Sequence, residues 1–189
     1  IVSTYPQNIA YKGAELTSPA LAARYLRRMR EASAAEARET GRREVLIELA
    51  SEVGLDVAAF IDHLTDGSAE RAFHEDLETI RRYGARGFPT FVFRNGENEL
   101  MLRGFQSFQA MHAVIETLSG SALRGTAPGK TAENVLGFIR KYGRAAPVEL
   151  TTVFDLAPKE VEKILAGLEG EGLAHRIRAG NGWFWEPAS

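Results

Sequence analysis

Apolar residues recur at helical spacing through most of the first half of the chain. Over Pro19–Arg38, leucine, tyrosine, methionine and alanine positions alternate with polar ones so that arginines occupy the opposite helix face. Ser18 before Pro19 is typical of a helix start, with a capping residue followed by proline at the first helical position. The same pattern predicts further helices over Glu44–Val53, Asp56–Leu64 and Ala69–Tyr83. Residues 6–86 are therefore expected to form a cluster of antiparallel helices.

The period of the apolar pattern changes after this helical stretch. Thr90–Arg94 and Glu99–Arg103 have the length and composition of strands, and Asn95-Gly96-Glu97-Asn98 between them predicts a hairpin turn. A helix is predicted over Ser107–Leu118, with an apolar face that includes Phe108, Met111, Val114, Ile115 and Leu118.

Glycine, serine and proline then concentrate before residue 131, which predicts a linker at residues 121–130. Beyond this linker, the pattern predicts helices over Thr131–Tyr142, Val148–Phe154 and Pro158–Glu171, and strands over Leu173–Arg178 and Trp183–Trp185. This order of elements resembles a small winged helix-turn-helix domain at residues 131–189. Trp183 and Trp185 fall on one side of a strand, where we expect them to pack rather than to stack on nucleic acid.

Composition and charge exclude several function classes. Of 189 residues, 44% are hydrophobic and 25% are charged, which is typical of a globular protein, and the net charge of −2 predicts no general attraction to nucleic acid or membranes. No apolar run has the length of a bilayer span, and no signal peptide is visible, so we expect a cytoplasmic location. We predict no cofactor and no metal, because no phosphate-binding glycine motif and no cluster of metal-ligating side chains is present.

Proline at the start of a strand is the most informative local feature. Gly87-Phe88-Pro89-Thr90 precedes the aromatic and β-branched run Phe91-Val92-Phe93, although proline offers no N–H to a sheet. With three further segments in the same order, this loop resembles the DsbA-like branch of the thioredoxin superfamily, particularly its FrnE-like and dithiol-disulfide isomerase members. Those segments are Tyr5-Pro6-Gln7-Asn8-Ile9-Ala10-Tyr11-Lys12-Gly13-Ala14-Glu15, Arg24-Tyr25-Leu26-Arg27 and Leu102-Arg103-Gly104-Phe105.

This resemblance implies a fold, a site and a function. The fold class is then α/β and thioredoxin-like, with residues 1–120 forming the distal part of the domain and its large helical insertion. The Phe88–Pro89 bond is expected to be cis, Pro89 to have a catalytic role, and Gly87, Phe88 and Thr90 to contact a protein or small-molecule disulfide substrate. The implied activity is that of a thiol-disulfide oxidoreductase or isomerase, in which a cysteine thiolate attacks a disulfide.

The chain departs from this family at the reactive thiols, because it contains no cysteine. The resemblance implies that the chain begins after the βαβ unit that carries Cys-x-x-Cys in the family. Since two strands alone are marginally stable, we expect about 100 further N-terminal residues, or another chain, to complete the sheet.

Two other function classes remain open. One is a non-catalytic adaptor of thioredoxin fold that binds a client protein, with a protein partner also expected at residues 131–189. The other is a winged-helix regulator, but residues 131–189 contain seven basic and eight acidic residues, and this balance argues against strong DNA binding. Arg24, Arg27, Arg28 and Arg30 are interpreted as a solvated helix face, because glutamates follow them closely.

Overall fold

The computed structural model describes residues 3–188, which form α-helices and two antiparallel hairpins. The helices are α1 (Tyr5–Thr17), α2 (Pro19–Ala34), α3 (Arg43–Glu52), α4 (Val57–Thr65), α5 (Ser68–Arg82), α6 (Phe108–Ser119), α7 (Ala132–Tyr142), α8 (Pro147–Phe154) and α9 (Pro158–Gly170). The strands are β1 (Thr90–Asn95), β2 (Asn98–Arg103), β3 (Ala174–Ala179) and β4 (Gly182–Pro187). In this range, no helix combines the length and hydrophobicity that a membrane span requires.

The structure divides into two compact units. The core unit comprises the residues up to Phe73 and those from Ala127 onward, and the hairpin unit comprises His74–Thr126. Helix α5 begins in the core unit and ends in the hairpin unit. The division of the sequence at residues 121–130 into domains 1–120 and 131–189 stays a prediction.

Helices α1 to α4 surround the first buried cluster of the core unit. Tyr25 of α2, Leu49 of α3 and Phe60 of α4 are fully buried, and the Tyr25 and Phe60 rings meet edge to face at 5.5 Å. The Tyr25 hydroxyl donates to the Leu46 carbonyl oxygen at 3.1 Å, and burial raises the pKa of Tyr25. The expected helical cluster is therefore confirmed, and its packing depends on these large apolar side chains.

Helix α2 is shorter than the apolar pattern predicts. It ends at Ala34, and Ala37 has a left-handed backbone conformation with φ of 54°. The Arg38 N–H then donates to the Ala32 carbonyl oxygen at 2.9 Å, which satisfies a carbonyl at the helix end. Arg38 lies outside the helix and pairs with Glu48 and Glu52 of α3. The predicted extension to Arg38 is wrong because the chain reverses at Ala37.

Residues 131–188, called the C-terminal module below, contain the second buried cluster. Val135, Leu150, Val161 and Leu165 from α7, α8 and α9 are fully or almost fully buried there. Ala145 exchanges two backbone hydrogen bonds of 2.9 Å with Trp185, which adds an isolated bridge beside the β3–β4 hairpin. Trp185 is buried as expected. Trp183 is 44% exposed and packs within the hairpin against the guanidinium groups of Arg176 and Arg178, at 5.4 and 5.5 Å from its ring centroid.

The hairpin unit places one helix against two strands. β1 and β2 pair antiparallel from Thr90–Arg103 to Asn95–Asn98, and the positive φ of Gly96 allows the tight turn that the sequence predicts. Helix α6 starts at the Ser107 cap, whose hydroxyl accepts from the Ala110 N–H at 3.1 Å.

Candidate functional site

The Pro89 loop is fixed at the start of β1 by two hydrogen bonds. The Phe88–Pro89 peptide bond is cis, as expected. The Pro89 carbonyl oxygen accepts from the Gly104 N–H at 2.8 Å, one step beyond the last strand pair, and the Thr90 hydroxyl donates to the Gly87 carbonyl oxygen at 2.7 Å. The four predicted site residues thus lie together in one ordered turn.

Phe88 is the part of this loop that is open to solvent. Its side chain is 80% exposed. Its backbone N–H and carbonyl oxygen form no hydrogen bond with any residue in the range 3–188. Unpaired backbone groups next to a strand are the groups that an extended peptide uses when it adds to a sheet.

Two more phenylalanines are exposed at the same end of the hairpin. Pro89 and Gly104 are joined by a hydrogen bond at this end. Phe88 directly precedes Pro89 and Phe105 directly follows Gly104, so each lies one residue outside that contact. Phe105 is 91% exposed, and Phe108, the first residue of α6, is 75% exposed. Phe108 belongs to the apolar face that the periodicity predicts, and its ring centroid lies 5.8 Å from that of His112, but most of its side chain is left open to solvent by the described residues. Exposed aromatic residues in a group are typical of protein-binding surfaces.

The histidines do not form a reactive or metal-binding group. His63 Nδ1 lies 2.9 Å from the Ser68 hydroxyl, and His112 and His175 lie near Glu116 and Glu186. Over residues 3–188, no three histidine, aspartate or glutamate side chains are placed to hold a metal ion.

A charge bridge joins α2 to the C-terminal module within the core unit. The Arg27 guanidinium forms two parallel contacts with the Glu149 carboxylate, at 2.9 and 3.0 Å, and donates to the Arg144 carbonyl oxygen at 2.6 Å. Arg144 reaches back to Glu36 at 3.0 Å and to Glu186 at 2.8 Å. We use "charge bridge" for these side chains and Glu31.

Glu31 is the most buried carboxylate of the charge bridge, with 9% of its surface exposed. Its Oε1 lies 3.0 Å from Arg27 Nε, but neither atom has a hydrogen-bond partner, so this contact is electrostatic. Burial raises the pKa of Glu31, and the positive charge of Arg144 opposes that rise. Arg27 and Arg28 are half-buried and paired, so the interpretation of this helix face as solvated is wrong for both residues.

Comparison with protein families gives this geometry a context. The sequence profile of a family described as Thioredoxin matches residues 1–113. The chain belongs to the thioredoxin family. A solved structure of a proposed protein disulfide isomerase from Nitrosomonas europaea has a TM-score of 0.58 and 17% sequence identity, over 65% of this chain and 61% of that one. At this identity the likeness shows the fold alone, which is thioredoxin-like and mostly helical, as expected.

Curated relatives cover almost all of this thioredoxin-family chain. The "ClpXP adapter protein SpxH" of Shouchella clausii is 32% identical over 96% of the chain. Proteins of the same name from Halalkalibacterium halodurans and Bacillus subtilis are 29% and 27% identical, over 98% and 99% of it. The chain spans 60% of the length of the first two of these relatives and 62% of the third.

These relatives correct the function that the family resemblance implied. The expectation of a thiol-disulfide oxidoreductase or isomerase is wrong, because the similar proteins are named as adapters and these 189 residues contain no cysteine thiol. The expected disulfide substrate loses its support for the same reason. A catalytic role for Pro89 depended on that activity.

Proposed function

We propose that this chain belongs to a non-catalytic adaptor of thioredoxin fold that binds a client protein and presents it to a ClpXP-type protease. The observation that carries this proposal is the similarity of the chain, over 96% to 99% of its length, to proteins named as ClpXP adapters. A cytoplasmic location follows from such a role. The lack of any thiol in these residues agrees with binding rather than redox chemistry.

The Pro89 loop is the client contact in this proposal. The described residues leave the backbone N–H and carbonyl oxygen of Phe88 without a hydrogen bond, so an extended client segment can add to the sheet beside it. Phe105 and Phe108 provide exposed apolar area at the same end of the hairpin, where buried aromatic anchors supply most of the binding energy in many interfaces. Gly87, Pro89 and Thr90 hold Phe88 in place through the hydrogen bonds at both sides of the turn.

The C-terminal module has a second role in this proposal. Its order of three helices and a hairpin supports assignment to the winged-helix class. Arg144 of this module pairs with Glu36 and Glu186 in the charge bridge. Because the module is slightly acidic and uses this cation internally, we propose that it binds protein rather than DNA.

The test begins in bacterial cells, where a photo-crosslinking amino acid replaces Phe105 and captures the bound client. Mass spectrometry then identifies the crosslinked protein. The client is then incubated with purified ClpXP and either the parent chain or a variant with Phe88→Ala, Phe105→Ala and Phe108→Ala. We expect the parent to accelerate degradation about tenfold or more and the variant to lose most of that acceleration, since each anchor contributes over 1 kcal/mol.

The matched control removes exposed apolar side chains elsewhere. Leu16 on α1 and Leu123 after α6 are 44% and 63% exposed and lie outside both the Pro89 loop and the C-terminal module, so Leu16→Ala with Leu123→Ala should leave acceleration unchanged. Equal loss in the control and the phenylalanine variant would overturn the assigned contact. No acceleration by the parent chain, together with salt-dependent DNA binding, would overturn the adaptor function itself.

A further inference from the structure

Two clefts adjoin along one face of α2 in the core unit. Their volumes are about 490 and 790 Å³, and both are lined by Arg24, Arg27, Glu31 and Tyr142. Because they share these side chains, they form a continuous depression, which we call the α2 groove. It lies between α2 and the C-terminal end of α7.

The α2 groove carries a surplus of positive charge that the fold does not use. All four of its carboxylates are already engaged: Glu31, Glu149 and Glu186 in the charge bridge, and Glu52 with Arg28 and Arg38. The cations left over are Arg24, Arg30, Arg140 and Lys141.

These remaining cations are exposed and lack acidic partners. No carboxylate within residues 3–188 lies in ion-pair distance of Arg24, Arg30 or Arg140, and Lys141 faces the Tyr142 ring at 5.3 Å. The protein as a whole has a net charge of −2, so this local surplus runs against its overall charge. A cleft whose lining has an excess of one sign of charge concentrates ligands of the opposite sign.

Apolar side chains line the larger cleft between these charges. Tyr11, Leu26 and Phe184 line it together with several alanines. An apolar floor offers little to a sugar-phosphate backbone, and the carboxylates of Glu31 and Glu149 would repel a continuous row of phosphates. A peptide with alternating acidic and apolar side chains matches both the charges and the floor.

We propose that the α2 groove binds an acidic segment of the protein partner, with glutamate or aspartate paired to Arg24, Arg30, Arg140 and Lys141 and apolar side chains against the floor. The inference rests on the proposed function, because the segment belongs to the client of the adaptor. It adds a binding surface in the core unit to the Pro89 loop of the hairpin unit. Specificity then comes from charge at one surface and from exposed phenylalanines at the other.

The test measures fluorescence anisotropy with a labelled peptide that alternates glutamate and leucine. We expect saturable binding that weakens as salt increases, and about tenfold weaker binding by an Arg24→Ala, Arg140→Ala variant. The matched control is Arg43→Ala with Lys159→Ala, which removes two exposed, unpaired cations that do not line the groove. Urea unfolding of both variants should match that of the parent chain.

Three results would overturn the inference. They are absence of peptide binding, equal weakening by the control variant, and tighter binding of a labelled single-stranded DNA than of the acidic peptide. The degradation assay with ClpXP separates this failure from failure of the proposed function. If the parent chain accelerates degradation but does not bind the acidic peptide, the groove inference fails and the adaptor proposal stands.

Discussion

The core unit and the hairpin unit use apolar residues in opposite ways. The core unit buries two clusters around Phe60 and Leu165, whereas none of the residues 74–126 is fully buried. β1 and β2 nevertheless pair in full register, and the Pro89 loop is ordered by hydrogen bonds at its ends. Local backbone pairing thus shapes the hairpin, while tertiary burial stabilises the helices. The same kind of apolar pattern is thus buried in one unit and left largely exposed in the other.

The largest expected contrast separates a buried phenylalanine from an exposed one. Phe60→Ala should lower the free energy of unfolding by about 3–5 kcal/mol, because it leaves a cavity among α1, α2 and α4. Phe105→Ala should change it by less than about 0.5 kcal/mol, since its ring is solvated. Urea unfolding followed by circular dichroism measures both. Similar losses in the two variants would contradict the assignment of recognition to the hairpin unit.

Substitutions in the charge bridge are expected to cause the second-largest loss of stability. Arg27→Ala removes the two contacts to Glu149 and one of the cations that lie close to Glu31, so it should cost about 1–3 kcal/mol after allowance for the remaining solvent exposure. The control is Arg42→Ala, whose ion pairs with Glu39 and Glu44 are exposed and should be worth about 0.5 kcal/mol or less. If both substitutions cost the same small amount, the bridge does not hold the C-terminal module to α2.

The smallest expected effects concern how the stability of the protein depends on pH, and they have opposite signs for Glu31 and Glu52. Burial raises the pKa of Glu31 above its ordinary value of 4.5, which it regains in the unfolded chain. The parent chain should therefore gain stability relative to Glu31→Gln as the pH falls from 7 toward 4.5. For Glu52, burial raises the pKa, but hydrogen bonds from Arg38 and Arg28 outweigh burial and lower it. The advantage of the parent over Glu52→Gln should therefore be complete above about pH 4.5 and decline below it. Urea midpoints at several pH values measure both slopes, and slopes of the same sign would refute this account.

Local features of the fold were predictable from sequence. Proline and serine at helix starts, the turn around Gly96 and the apolar spacing gave the elements and most of their ends. The order of short motifs also indicated the thioredoxin family, because a proline before a strand is rare enough to be informative.

The features that could not be predicted from sequence are those that depend on tertiary contacts. The periodicity placed Phe108 on an apolar helix face, but it could not show that the described residues leave this side chain exposed. Arg27 and Glu149 are 122 residues apart, and no local pattern links them. A cluster of arginines followed by glutamates looks solvated in sequence, and only the fold reveals that two of those arginines are half-buried. The family resemblance indicated redox chemistry, whereas similarity to adapters over 96% of this chain corrected that expectation.

The central claim is that exposed phenylalanines of the hairpin unit recruit a client protein. The most direct measurement is the rate at which ClpXP degrades the protein crosslinked at Phe105, with the parent chain or with the Phe88→Ala, Phe105→Ala and Phe108→Ala variant. We expect the parent to accelerate degradation and the variant, with unchanged stability, not to do so. Equal acceleration by the two proteins would contradict the claim.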